Sequence, residues 1–262
     1  MLKNKTKELK EFMKSNGLRY SSETITEFID EAEKDKLSYS SFMIKLLQNE
    51  TKLKQDKKRI RNYSAAHFPP NVQAIEAFDI SELDSGITSS EIEQLKDLLW
   101  IDSYTNLLFL GPPGLGKTML AIALGAKAIN SGYTVCFERM NSLIDILVNY
   151  KVSRRAQYRL KKIKSVDLLI VDEVGFLPIS RVEANAFFTL ISDIYEETSI
   201  IITSNKEITK WTELLGDDVL TTALLDRLYF VNRKYLKKAL KIQFVSKDFP
   251  SFHHIDILYQ SS

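Results

Sequence analysis

Two short stretches of this chain bring together the residue types that handle phosphate groups. The first is Gly111-Pro112-Pro113-Gly114-Leu115-Gly116-Lys117-Thr118, a full Gly-x-x-x-x-Gly-Lys-Thr pattern. Its glycines let the backbone curl so that successive N–H groups face phosphate oxygens, and the positive end of a following helix adds to the attraction. In such a loop Lys117 reaches the β- and γ-phosphates and the Thr118 hydroxyl ligates Mg²⁺. The expected phosphate cradle is the loop from Gly111 through Thr118 together with Met119, the residue that follows it. The second stretch is Leu168-Leu169-Ile170-Val171-Asp172-Glu173. Here Asp172 is expected to hold Mg²⁺, directly or through water, and Glu173 to polarise an attacking water as general base. Asn205, which ends Ile200-Ile201-Ile202-Thr203-Ser204-Asn205, is expected to position that water or touch the γ-phosphate.

These groups need a scaffold that delivers them to one edge. The apolar runs Leu107–Leu110, Thr134–Phe137, Leu168–Val171 and Ile200–Thr203 read as strands buried on both faces, as in a parallel sheet. Helical patterns fill Ser90–Trp100, Thr118–Ser131, Met140–Tyr150, Arg181–Glu196 and Ala223–Leu228. The alternation predicts an α/β fold with ligands at the C-terminal ends of its strands. Residues 1–66 carry helical periodicity with breaks near Asn16-Gly17 and Lys36-Leu37-Ser38. They predict a small all-helical domain ending in a long basic helix from about Phe42 to Ala66. Pro69-Pro70 stops that helix, leaving 67–262 as the nucleotide-binding domain.

Composition narrows the classes further. The 262 residues carry a formal net charge of only +2, so bulk charge announces no nucleic-acid binder. A single cysteine, Cys136, excludes an internal disulfide, and His67, His253 and His254 make no convincing metal set. No apolar run approaches a membrane span, and the start lacks a secretory pattern, so a cytoplasmic protein without a membrane partner is expected. Local charge is more telling. One basic cluster holds Lys52, Lys54, Lys57, Lys58, Arg59 and Arg61. A second holds Lys151, Arg154, Arg155, Arg159, Lys161, Lys162 and Lys164, and a third Arg233, Lys234, Lys237, Lys238 and Lys241. Such clusters neutralise DNA phosphates or serve as solvated helix faces. The second is the strongest candidate for DNA contact, with Arg154, Arg155 and Arg159, followed by Lys57, Lys58, Arg59 and Arg61 of the first.

The motifs taken together resemble a known family. His67-Phe68-Pro69-Pro70, Ala77-Phe78-Asp79, the phosphate loop, Asp172-Glu173-Val174-Gly175-Phe176-Leu177-Pro178, Thr203-Ser204-Asn205 and Leu225-Asp226-Arg227-Leu228 resemble the IstB-like AAA+ ATPases, transposition helpers related to DnaC helicase loaders. The resemblance spans residues 57 to 230. It implies a P-loop AAA+ core with a parallel central sheet behind a helical N-terminal domain, ATP and Mg²⁺ as ligands, and hydrolysis of ATP. It implies oligomers on double-stranded DNA and the transposase of the same element as partner. Asn205 matches the family's sensor-one asparagine, and Arg227 its arginine finger, reaching a neighbouring subunit's γ-phosphate. Without the family, Arg227 reads as a surface salt bridge with Asp226. Phe78 is either a residue near adenine or a core aromatic. The segment after Arg227 departs from the family's usual close. A helicase loader and a nucleotide-regulated DNA-binding module with little hydrolysis are the competing readings.

Overall fold

The computed structural model describes residues 2–70, 72, 75, 89–229 and 240–243. Two compact units are distinguished, Met1–Arg61 and Asn62–Ser262. The first is helical: α1 (Leu2–Ser15), α2 (Ser21–Lys34) and most of α3 (Tyr39–Ala66). Met13, Ile25 and Leu46 form its core, with Leu18, Phe28, Ile29 and Phe42 packed around them. Glu50 of α3 accepts from the backbone N–H groups of Tyr20 and Ser21 at 3.3 and 2.6 Å. It thereby satisfies donors that the first turn of α2 would leave unpaired. The long helix ends at Ala66, and His67 takes a left-handed φ of 61° just ahead of Pro69-Pro70.

The second unit is built on five parallel strands in the order β2-β3-β4-β1-β5. These are β1 (Leu107–Leu110), β2 (Val135–Arg139), β3 (Leu168–Val174), β4 (Ser199–Ser204) and β5 (Leu240–Gln243). The strand-by-strand alternation of side chains sorts the apolar runs between two layers. Leu107, Phe109, Phe137, Leu168, Ile170 and Ile201 face α6 (Lys117–Asn130) and α4 (Ser89–Lys96). Leu108, Leu110, Cys136, Leu169, Val171, Ile200 and Ile202 belong to the opposite core. That core includes α7 (Met140–Asn149), α8 (Arg154–Ile163), α9 (Arg181–Asp193), α10 (Trp211–Leu215) and α11 (Asp218–Tyr229). Burial on both faces is why the strands read as unbroken apolar runs.

Several expected elements change in detail. The helix expected over Ser90–Trp100 breaks at Leu98, whose φ is +62°, and resumes as the short α5 (Leu99–Asp102). α8 was not among the expected helices because its buried stripe, Ala156, Arg159, Leu160 and Ile163, contains an arginine. α11 begins at Asp218, earlier than Ala223, and β5 follows none of the apolar runs chosen as strands. Ala77-Phe78-Asp79, Arg233 through Lys238, and His253 and His254 lie outside the described residues.

Candidate nucleotide site

The phosphate loop joins β1 to α6 at the C-terminal edge of the sheet, where open α/β sheets bind ligands. Gly114 and Gly116 take φ of +85° and +77°, conformations that would strain a residue with a Cβ. The Gly111 N–H donates to Ser204 O at 3.2 Å, fastening the loop's entry to the tip of β4. A cavity of about 340 Å³ opens beside it. Its walls include Gly114, Lys117, Thr118, Met119, Glu173 and Asn205, so the expected phosphate, base and asparagine positions share one space. Pro113 and Gly116 also line it, whereas Gly111, Pro112 and Leu115 do not.

Lys117 is only 8% exposed, and its ammonium donates to Pro112 O at 2.5 Å. Burial lowers its pKa below the ordinary lysine value, with the Asp172 charge pulling it partly back. Asp172 is 2% exposed, and its Oδ1 accepts from the Thr118 hydroxyl at 2.7 Å and the Thr203 hydroxyl at 2.6 Å. Thr118 and Asp172, expected as metal ligands, are thus neighbours across β4. A hydroxyl beside a carboxylate is a hard-oxygen pair that suits Mg²⁺, which takes few protein ligands and completes its shell with phosphate and water. Among the described residues, no group of three or more His, Cys, Asp or Glu side chains converges as a separate metal site.

Glu173 departs from regular strand geometry with φ +62°. The pairing of β3 with β4 places Val171 opposite Ile202 and Val174 opposite Ser204, with an irregularity between. Asp172 and Glu173 together therefore face the single residue Thr203, a bulge of the kind that re-aims side chains near active sites. The Glu173 carboxylate lies 3.9 Å from the Arg139 guanidinium, with both side chains more than half exposed. Neither Thr203 nor Arg139 was singled out for a role in the sequence. Thr203 was visible as the hydroxyl residue before Ser204-Asn205, and Arg139 as the second of two charges after the apolar run Val135–Phe137.

Arg227 stands away from the cavity lining. Its guanidinium lies 4.5 Å from the centre of the Phe188 ring and donates to Ala223 O at 2.9 Å. Its observed partners are thus an aromatic face and its own helix.

The basic clusters divide. Arg159, expected to touch DNA, is corrected to an interior role. It is 8% exposed and forms an ion pair with Glu138, itself 8% exposed, while donating to Ala65 O and Phe137 O. All three nitrogens of this guanidinium are thus engaged inside the fold. Arg154 and Arg155 remain exposed on the first turn of α8 and Lys161 on its last, while Lys164 pairs with Asp193 at 2.6 Å. Of these, Arg155 lines a groove of about 950 Å³, together with Asp145, Tyr158 and Lys162. In the helical unit, Lys57 pairs with Glu23 at 3.8 Å and covers the Tyr20 ring, and Arg59 pairs with Asp56 at 3.3 Å. Lys58 and Arg61 lie on the exposed part of α3.

The strand order, the loop between β1 and α6, and the carboxylates ending β3 define a P-loop AAA+ nucleotide-binding domain. Comparison with solved structures agrees on the fold. DnaI superposes with a TM-score of 0.55 at 18% identity over 68% of this chain and 95% of that one. The replication initiator DnaA bound to AMPPCP and single-stranded DNA gives 0.52 at 23%, over 68% of this chain and 51% of that one. The model of the IstB-like ATP binding protein family matches residues 13–236. The chain is 38% identical over 216 residues to an insertion sequence IS21 ATP-binding protein of Pseudomonas aeruginosa, covering 82% of this chain and 80% of that one. It is 33% identical over 230 residues to an IS21-like ATP-binding protein of Bacteroides fragilis, covering 88% and 86%. The chain belongs to the IstB-like ATP-binding family and is an ATP-binding protein associated with insertion sequences. No helix among the described residues is long and apolar enough to cross a membrane.

Proposed function

We propose that this protein hydrolyses ATP and couples the nucleotide state to its assembly on double-stranded DNA, where it assists the transposase of its element. The observation that carries this reading is that one cavity joins the phosphate loop to Glu173 and Asn205, with Asp172 fixed against Thr118 behind it. Backbone N–H groups of the loop and the Lys117 ammonium hold the phosphates. Thr118 and Asp172 would hold Mg²⁺, whose charge offsets that of the phosphates when bound. Glu173 takes a proton from the attacking water, and Asn205 orients that water as a neutral donor.

Arg227 acts in trans in this reading. Its position outside the cavity lining supports a guanidinium offered to a neighbouring subunit's γ-phosphate, so hydrolysis depends on assembly. The same position supports a second reading, a nucleotide-regulated DNA-binding module with little turnover. Exposed Arg154, Arg155 and Lys161 of α8 supply the phosphate-binding face. Steady-state ATPase assays with DNA separate the readings. We expect measurable turnover in wild type and a loss of about 10²–10⁴-fold in Glu173→Gln, with ATP binding retained. Absence of turnover in wild type sinks the hydrolytic claim, and equal turnover in both proteins removes Glu173 as the base.

A further inference from the structure

The bulge that aims Glu173 into the cavity has to be held open by something. A glutamate at φ +62° is in a conformation that residues with a Cβ adopt reluctantly, and such geometry persists only where surrounding contacts over-determine it. The bulge also shifts the register of the β3–β4 ladder between Val171 and Val174, where the Glu173 N–H lies. That N–H donates to Thr203 Oγ1 at 3.0 Å. Because a backbone N–H can only donate, the hydroxyl proton of Thr203 is free to go elsewhere, and it goes to Asp172 Oδ1 at 2.6 Å. Thr203 is 2% exposed, and its bond to Asp172 is buried away from competing water. Its position in the ladder is equally specific: it is the one β4 residue opposite the two bulged residues of β3.

We infer that Thr203 is the positioning residue of the hydrolytic centre, its single hydroxyl locking the backbone that aims Glu173 and the carboxylate orientation of Asp172. The inference rests on the reading of Glu173 as general base. One group thereby ties together the proton acceptor and the expected metal ligand, so their separation is set by β4 and not by flexible side chains. Valine has nearly the shape of threonine and keeps the β-branched packing, but it offers the Glu173 N–H no acceptor and Asp172 no donor. Serine keeps both bonds and gives up only a methyl group.

The test compares full-length wild type, Thr203→Val, Thr203→Ser and Glu173→Gln. In the nucleotide-free protein, hydrogen exchange at the Glu173 amide is expected to quicken by about tenfold in Thr203→Val, as loss of one hydrogen bond predicts, and to stay near wild type in Thr203→Ser. With saturating ATP, Mg²⁺ and DNA, kcat is expected to fall by about 10- to 100-fold in Thr203→Val through misplacement of the base, while KM for ATP stays within about threefold. Thr203→Ser is expected to restore most of kcat. Unchanged exchange in Thr203→Val overturns the anchor, as does a serine variant as impaired as the valine one. If Thr203→Val does not fold, Thr203→Ala carries the same expectations. The two readings fail separately. Turnover of Glu173→Gln at the wild-type rate removes the base reading, while the exchange rates still judge the anchor.

Discussion

Lys117 shows how a single residue can be placed for a ligand at a cost to the unliganded fold. Its ammonium is buried, its pKa is lowered by that burial, and its observed partner is the carbonyl of Pro112. Between the lowered folded value and the ordinary value of 10.5, the unfolded chain binds more protons than the folded one. Stability therefore rises with pH across that window, and at neutral pH the buried charge weakens the fold. Replacing it with an apolar side chain of similar length, Lys117→Met, is expected to raise the melting temperature of the nucleotide-free protein by roughly 2–4 °C. The same variant is expected to lose the stabilisation that ATP gives wild type, and thermal melts with and without nucleotide check both outcomes. Arg159 makes the opposite case. Within one basic run it is the member turned inward, and leaving Glu138 buried without it is expected to cost about 3–5 kcal/mol in Arg159→Ala, read by urea unfolding. Changing Arg154, Arg155 and Lys161 together to alanine is expected to leave stability near wild type. That triple change is expected to flatten the salt dependence of DNA affinity by up to about 3 in log–log slope.

At the scale of elements, what could be read from sequence followed the burial pattern. The four strands expected from apolar runs are all present, because a parallel sheet covered on both faces leaves no polar positions to blur the signal. The phosphate loop was legible for a different reason: its glycines are needed for φ values that other residues avoid. α8 was hidden because Arg159 interrupts its apolar stripe, and only the partner Glu138 on a distant strand explains why a charge can sit there. The bulge at Asp172-Glu173 was equally invisible, since it depends on which residue of β4 lies opposite. Close packing of α6 gives a sharp test of the sheet–helix contact. A Cβ on Gly125 would lie 2.8 Å from Ile170 Cδ1 and 2.9 Å from Phe68 Cζ. Alanine is the better helix former by about 1 kcal/mol, yet Gly125→Ala is expected to destabilise, with overpacking costing about 1–3 kcal/mol. An unfolding midpoint higher than wild type would show that the helix can move away freely.

For the whole molecule, the proposed trans role of Arg227 requires that copies meet, so that the cavity of one is completed by the guanidinium of the next. Arg227→Ala is expected to lose DNA-stimulated turnover while retaining ATP binding. Mixing it with Glu173→Gln is expected to restore part of the rate, since one variant keeps an intact cavity and the other an intact guanidinium. ATPase assays on equimolar mixtures check this, and mixtures no faster than either variant alone would remove Arg227 from the neighbouring site.

Cys136 sits in β2 with no exposed surface, and burial pushes its thiol up to about 12. It is the only cysteine in the chain. Maleimide dyes and spin labels react with exposed thiolates, so the native protein resists them at neutral pH without any change to its sequence. A cysteine introduced at an exposed position such as Tyr158 would then carry the whole signal. Fluorescence or electron spin resonance could follow α8 on DNA, with the unmodified chain serving as the blank.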